Sequence, residues 1–341
     1  MSLLPKPTDT RFDLLGIGNA IVDVLSHSEE AFLEEHGLHK GAMTLIDVDK
    51  ADILYRDLGT ATEVSGGSVA NTVAAAGALG QRVAYIGKVR DDQLGAIFSH
   101  DIRAVGVHFD TPPAVAGPAT ARCFVMVTPD AHRTMATHLG ACVELGPEDI
   151  DEQLVGDTWI TYLEGYIWDP PRAKDALRKA IEAAHRRDRV VALTLSDPFC
   201  VERHRAEFRQ LVEESVDLLF ANEHELMSLY EVDDVWRAVE HLQTHCRVAA
   251  VTRGDQGSLV LSQGEVFEVP IVHAEGILDT TGAGDLYAAG FLHGVASGWD
   301  AERCGRAGAA AAAEIISHIG ARPERDLREV LALATGEEVG S

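Results

Sequence analysis

Asp285 ends the segment DTTGAGD, Asp279 to Asp285, and the small-residue pattern LYAAGFLHGVASG follows it at once. A glycine-rich turn running into a helix can aim the backbone N–H groups of Gly282, Ala283 and Gly284 at one point, where the helix dipole adds partial positive charge. That arrangement suits an anionic phosphate oxygen. Asp285 is the first carboxylate beside such an anion hole, placed to take the proton of a hydroxyl that attacks phosphorus. The competing structural reading is an ordinary first-turn acid that stabilises the dipole.

A second segment, SGGSVANTVAAAGALG from Ser65 to Gly80, places Gly66 and Gly67 directly before an alanine-rich helix. Glycines let the chain pass close to a ligand before the helix starts. Ser68 and Asn71 lie three apart on the first turn and share a face. A hydroxyl and an amide there suit a polyol, since each can donate and accept. Ser68 reads equally well as a helix N-cap.

The elements that must position these groups alternate along the chain. Strand patterns occur at Phe12 to Gly18, Val83 to Gly87, Thr158 to Gly165, Val190 to Ser196, Val216 to Phe220 and Val248 to Arg253. Helix patterns lie at Val69 to Leu79, Asp92 to Val105, Pro171 to Arg187, Glu223 to Tyr230 and Val235 to Thr244. Such alternation predicts an α/β fold: a Rossmann-like, mostly parallel sheet with helices on both faces. Residues 19–65 and 108–140 break the pattern with short alternating runs. ARCFVMVTPDAHRTMATHLG reads as two strands joined near Pro129 and Asp130. They form the expected discontinuous, β-rich lid, leaving 1–18, 66–107 and 141–341 as the large nucleotide-binding domain. PERDLREVLALATGEEVGS reads as a last helix and a frayed end.

Composition narrows the partners. Fifty-four acidic against 29 basic residues give a formal charge of −25, which repels nucleic acid and anionic lipid. A polyanion such as ATP must then be held by local dipoles, a few arginines and a metal. The five cysteines, Cys123, Cys142, Cys200, Cys246 and Cys304, show no CxxC spacing. With no apolar run of about 18 residues, the expectation is a cytoplasmic protein that meets no membrane.

Three chemistries lack their residues. GIGNAI, Gly16 to Ile21, begins like a dinucleotide-binding turn but lacks the third glycine. There is no GxxxxGK[ST] for a P-loop, and no GxSxG elbow or HExxH helix for hydrolysis.

SGGSVANT, AYIGKVRDDQLG and DTTGAGD resemble the two signature regions of the ribokinase-like, or PfkB, carbohydrate kinases, and the likeness runs from Leu15 to about Pro323. GNAIVDV, Ser68, LSDPF at Leu195 to Phe199 and FANEHEL at Phe220 to Leu226 are similar to the adenosine kinase branch. The resemblance implies an ATP- and Mg²⁺-dependent kinase acting on the primary 5′ hydroxyl of a ribonucleoside, adenosine first. A ribose, fructose or keto-deoxy sugar acid kinase is the alternative, and a nucleoside-binding regulator without catalysis the remoter one. It implies that Asp23 grips the ribose 2′ and 3′ hydroxyls, with Asn19 beside it and Gly66, Gly67, Ser68 and Asn71 lining the sugar. Arg133 would neutralise the transferring phosphoryl group. Asn222 and Glu225 resemble an NxxE motif organising Mg²⁺ through water, with His224 facing away from both. Thr252, Arg253, Gly254 and Gly257 look like the turn bordering ATP. Asp279 and Thr281 would take part in a monovalent cation site, for K⁺. Tyr166, Phe199 and Phe124 are candidate walls for adenine or, equally, core. Lids of this family differ in whether they pair two subunits, so monomer and homodimer both stand.

Overall fold

Apolar runs buried on both faces can be satisfied only as interior strands of a parallel sheet, and a computed structural model describing residues 3–130, 132–274 and 276–336 shows that arrangement. In chain order the strands are β1 (Phe12–Ile17), β2 (Ile21–His27), β3 (Met43–Leu45), β4 (Ala61–Gly66), β5 (Val83–Ile86), β6 (Ala121–Val127) and β7 (Arg133–His138). They continue as β8 (Thr158–Glu164), β9 (Val190–Thr194), β10 (Leu218–Asn222), β11 (Val248–Thr252), β12 (Ser258–Ser262) and β13 (Glu265–Val269). The helices are α1 (Glu30–Glu35), α2 (Val48–Asp57), α3 (Ser68–Ala78), α4 (Gln93–Ala104), α5 (Glu152–Gly156) and α6 (Pro171–His185). After them come α7 (Pro198–Glu214), α8 (Glu223–Tyr230), α9 (Val235–Leu242), α10 (Ala283–Ala296), α11 (Ala301–Ile315) and α12 (Leu327–Thr335).

The larger sheet runs β13-β12-β11-β10-β9-β8-β1-β5, parallel from β11 to β5 and antiparallel in the β11-β12-β13 edge. Helices α3, α4, α10, α11 and α12 pack one face, with Phe98, Phe291 and Ile315 fully buried. Helices α6 to α9 pack the other around Trp168, Leu177, Phe208 and Leu226. The carboxyl ends of the strands therefore open between two helical layers, the usual ligand edge of such a sheet.

The second sheet runs β3-β7-β6-β2-β4. Its own small core holds Val24, Leu33, Leu54, Phe124 and Met126 under α1 and α2. Two helices thus belong to the stretch read as β-rich. The hairpin read around Pro129 and Asp130 is β6-β7, antiparallel with Val127 opposite Arg133. His108 instead bridges to Ala84 of the large sheet, and Phe109 packs on Tyr85 and Phe98, so the start of the second interrupting stretch joins the large core.

Some elements had no legible signal. Helix α7 starts at Asp197, whose carboxylate accepts from the Cys200 N–H at 2.8 Å, with Pro198 in the first turn. Its charged run hides a narrow buried stripe of Cys200, Val201, Phe208 and Val212. Helix α11 carries seven alanines and two glycines among its 15 residues, and β12-β13 follow a turn read for its loop residues and not for the strands beyond it. Helix α12 matches the expected last helix, and the frayed end assigned beyond Gly336 lies outside the described residues.

Candidate active site

Gly282 takes φ +73° as the residue before α10, a conformation that favours glycine, and an added Cβ would meet Ala321 at 3.0 Å. The Leu286 N–H closes the first helical turn onto Gly282 O at 2.8 Å, while Ala283 N–H turns to Thr280 O at 3.3 Å. The amides of Gly284 and Asp285 precede the helical ladder and are the donors available to an anion; Gly284 faces open space. Of the amides expected to form an anion hole, that of Ala283 is taken by Thr280 O.

Asp285 is held by the first turn of α3. Ser68 Oγ donates to its Oδ1 at 2.6 Å, Asn71 Nδ2 to its Oδ2 at 3.0 Å, and Thr72 Oγ1 to its backbone carbonyl at 3.0 Å. The N-cap of α3 is Gly67 and no side chain caps it, so Ser68 does not serve as the cap. Burial pushes the Asp285 carboxyl up to about 6, with the Ser68 and Asn71 hydrogen bonds and the nearby Arg322 pulling down. Asn71 is 5% exposed and its Oδ1 has no hydrogen-bond partner among the described residues, an acceptor waiting for a donor.

Asp23 on β2 lies against Gly66, where an added Cβ would stand 2.2 Å from its Oδ2. Gly67, at φ +99°, has the Asn19 carbonyl where its Cβ would be. Both glycines are thus required by close approach. Burial raises Asp23 to about 7 against the pull of Arg322 and Arg133, and Asp285 adds to the rise.

Glu164, at the end of β8, was not anticipated. It is 1% exposed and accepts from Asn19 Nδ2 at 2.9 Å, Asn19 N at 3.3 Å and Val69 N at 3.2 Å. It fixes Asn19 and the start of α3 together, and burial lifts it to about 7. An acid at the end of an otherwise apolar strand was the signal available in TWITYLEG.

On the phosphoryl side, Arg133 Nη1 donates to Asp279 Oδ1 at 2.8 Å, tying the lid to the turn. Asp279 Oδ1 also accepts from the Thr281 N–H and hydroxyl, and its Oδ2 from Gly320 N at 3.1 Å. The carboxylate expected at a monovalent cation site has its charge met here by Arg133.

Asn222 and Glu225 form a reciprocal cap at the start of α8: Glu225 N donates to Asn222 Oδ1 and Asn222 N to Glu225 Oε2, both at 2.9 Å. Burial and the neighbouring Asp197 push Glu225 up to about 7, a crowding of acids that a dication would relieve. Among the described residues no group of three His, Cys, Asp or Glu could hold a metal, and Mg²⁺ carried on phosphates needs only one or two carboxylates. His224 is exposed, whereas Glu225 is buried.

Thr252 ends β11, and Gly254 and Gly257 both take positive φ in the turn that follows. Arg253 lies in that turn with its guanidinium over Trp236 and Nη2 on Gln256 O at 3.1 Å and Glu268 at 3.4 Å. The proposed aromatic walls do not assemble. Phe124 is sealed in the lid core, Tyr166 packs beneath α7 with its hydroxyl on Ser196 O at 3.3 Å, and Phe199 is 71% exposed. Ile277 and Leu278, just before DTTGAGD, are exposed apolar surface that sequence reasoning passed over.

Four carboxyls raised by burial carry a stability consequence. Between about pH 4 and 7 the folded chain holds protons that the unfolded chain, with ordinary carboxyls, has released. Stability therefore falls as pH rises through that window. The ligand-free Tm is expected to be higher at pH 6 than at pH 8 by scanning calorimetry, and a Tm that rises from pH 6 to 8 contradicts it.

The chain matches a structure of a probable sugar kinase from Rhizobium etli CFN 42 at 48% identity and TM-score 0.90, covering 96% of this chain and all of that one. Adenosine kinase from Sinorhizobium meliloti matches at 52% identity and TM-score 0.89, covering 95% and 100%. Among curated relatives, 5-dehydro-2-deoxygluconokinase of Geobacillus thermodenitrificans is 26% identical over 93% of this chain and 91% of its own length. Adenosine kinase 1 of Arabidopsis thaliana is 27% identical over 90% and 94%. A match to the pfkB family carbohydrate kinase profile over residues 42–326, on a chain whose glycine turn leads into a helix beside a buried carboxylate, means that the chain belongs to the PfkB carbohydrate kinases, phosphotransferases with a hydroxyl acceptor.

Proposed function

We propose that the chain phosphorylates the 5′ hydroxyl of a ribonucleoside, adenosine foremost, using Mg·ATP. The observation that carries this is the charge of the acceptor side: Asp23 and Asp285 both face it, Arg133 is already paired with Asp279, and Arg322, held by neutral oxygens of Ser65 and Ala70, leaves one cation against two acids. A sugar acid would set its carboxylate against two others, whereas a neutral cis-diol gives Asp23 two hydroxyl donors. The open acceptor at Asn71 Oδ1 accommodates a further hydroxyl. The 52% identical adenosine kinase of Sinorhizobium meliloti supports the same acceptor.

Asp285 takes the proton of the 5′ hydroxyl as that oxygen attacks the γ-phosphorus. Ser68 and Asn71 hold the carboxylate in place, and the Gly284 and Asp285 amides stabilise charge on the phosphoryl oxygens. Arg133 leaves Asp279 for the phosphoryl group when substrates fill the cleft. Glu225, with Asn222, would hold Mg²⁺ through water, and that ion supplies further neutralisation of the phosphates.

The reading is tested by an ADP-release screen over nucleosides and sugars, with and without K⁺, and by phosphorus NMR of the product. A 5′-monophosphate from adenosine is expected. Turnover of ribose, fructose or a sugar acid in preference to every nucleoside would overturn the acceptor assignment and leave the family intact.

A further inference from the structure

Arg322 lies outside every motif above, in the loop between α11 and α12, and it joins both halves of the site. The two residues before it serve the phosphoryl side: Gly320 N–H donates to Asp279, and Ala321 packs against Gly282. Its guanidinium serves the other side. Nη2 donates to Ser65 O at 2.9 Å and Ser65 Oγ at 3.0 Å, Nε to Ser65 O at 3.3 Å and Nη1 to Ala70 O at 3.4 Å. Ser65 stands at the end of β4, where the lid sheet returns to the core, and its N–H is taken by Asp101 at 3.2 Å. Ala70 belongs to the turn of α3 that presents Ser68 and Asn71 to Asp285.

Among the described residues no carboxylate lies within ion-pair distance of Arg322, although Asp23, Asp285 and Asp101 all face it. Removing a cation from water without a contact partner is costly, so its place is explained by the field of those acids and by a planar donor fork that a lysine cannot copy. We propose that Arg322 is a positioning residue for phosphoryl transfer, tying the lid hinge at Ser65 and the first turn of α3 to the catalytic turn and supplying the positive charge that faces Asp23 and Asp285. This rests on Asp285 being the base.

The groups around Asp285 are Ser68 and Asn71 on α3, Arg322, and the acids Asp23 on β2 and Glu164 on β8, with the Tyr162 phenol. Asp23 also faces Arg133 on β7 and Cys123 on β6. Arg322 is the one cation that faces both carboxylates among these groups. Its removal therefore shifts the acid limb of the rate profile to higher pH, the direction expected when an opposite charge is lost.

The test is the pH profile of kcat/KM, read as ADP release with whichever acceptor the enzyme turns over, so failure of the nucleoside assignment leaves it intact. Arg322→Gln is expected to move the acid limb up by about one pH unit, the low end for such a neighbour. A wild-type limb in that variant overturns the proposal whether or not turnover falls. Arg322→Lys keeps the charge and loses the fork: its limb stays at the wild-type position while kcat/KM drops roughly tenfold, about one lost charge-assisted hydrogen bond. If Arg322→Gln does not fold, Arg322→Lys decides, and wild-type kcat/KM there overturns the positioning role. Wild-type turnover in Asp285→Asn would instead sink the base assignment beneath it.

Discussion

Asp285→Asn is expected to lower kcat by roughly 10²- to 10⁴-fold, the share usual for a general base. The amide keeps the shape and can still meet Ser68 and Asn71, so the fold should survive and the KM values for both substrates should change little. That pattern, kcat lost and binding kept, marks an interaction made in the transition state. Ionisation gives a second handle. With the carboxyl raised to about 6, the base is charged above that pH and protonated below it, so kcat/KM of the wild type should fall as pH drops through about 6. The acid limb of kcat should vanish in Asp285→Asn, while Asp23, raised to about 7, keeps a limb in kcat/KM. Stopped ADP release across pH 5 to 8 reads both effects, and a variant with wild-type turnover would show that Asp285 is only a first-turn acid.

The next largest effect is expected at Asp23. A carboxylate that accepts two hydroxyl donors contributes about 1.5–3 kcal/mol for each bond to a charged group, so Asp23→Asn should reduce kcat/KM for adenosine by roughly 10²- to 10⁴-fold. The loss should appear mainly in KM. A 2′-deoxynucleoside, which offers one hydroxyl fewer, should lose markedly less between wild type and variant, and an equal loss for both acceptors would remove the cis-diol role. Replacing a carboxyl that burial has raised to about 7 by a neutral isostere should not lower the ligand-free Tm at pH 8.

Legibility differed by element for physical reasons. Strands buried on both faces, such as VVALT at Val190–Thr194, announce themselves because nothing polar interrupts them. The glycine turns at Gly66, Gly67 and Gly282 were readable because backbone approach leaves few other residues possible. Residues that act through distant contacts were not. Glu164 reaches Asn19 across 145 positions and Arg322 reaches Ser65 across 257, and no local spacing encodes such a pairing. The aromatic candidates were ambiguous for the opposite reason. An aromatic side chain reads the same whether it lines a cleft, fills the lid core like Phe124 or stands in solvent like Phe199. Arg253 is similar, since an arginine after a strand can turn to a neighbouring Trp236 and Glu268 as readily as to a ligand.

The acceptor is decided most directly by measuring kcat/KM for adenosine and for 5-dehydro-2-deoxygluconate on one preparation with Mg·ATP. Facing a substrate carboxylate with Asp23 and Asp285 should cost about 3 kcal/mol, so adenosine is expected to be favoured by roughly 10²-fold or more. Equal or preferential turnover of the sugar acid would contradict a nucleoside site.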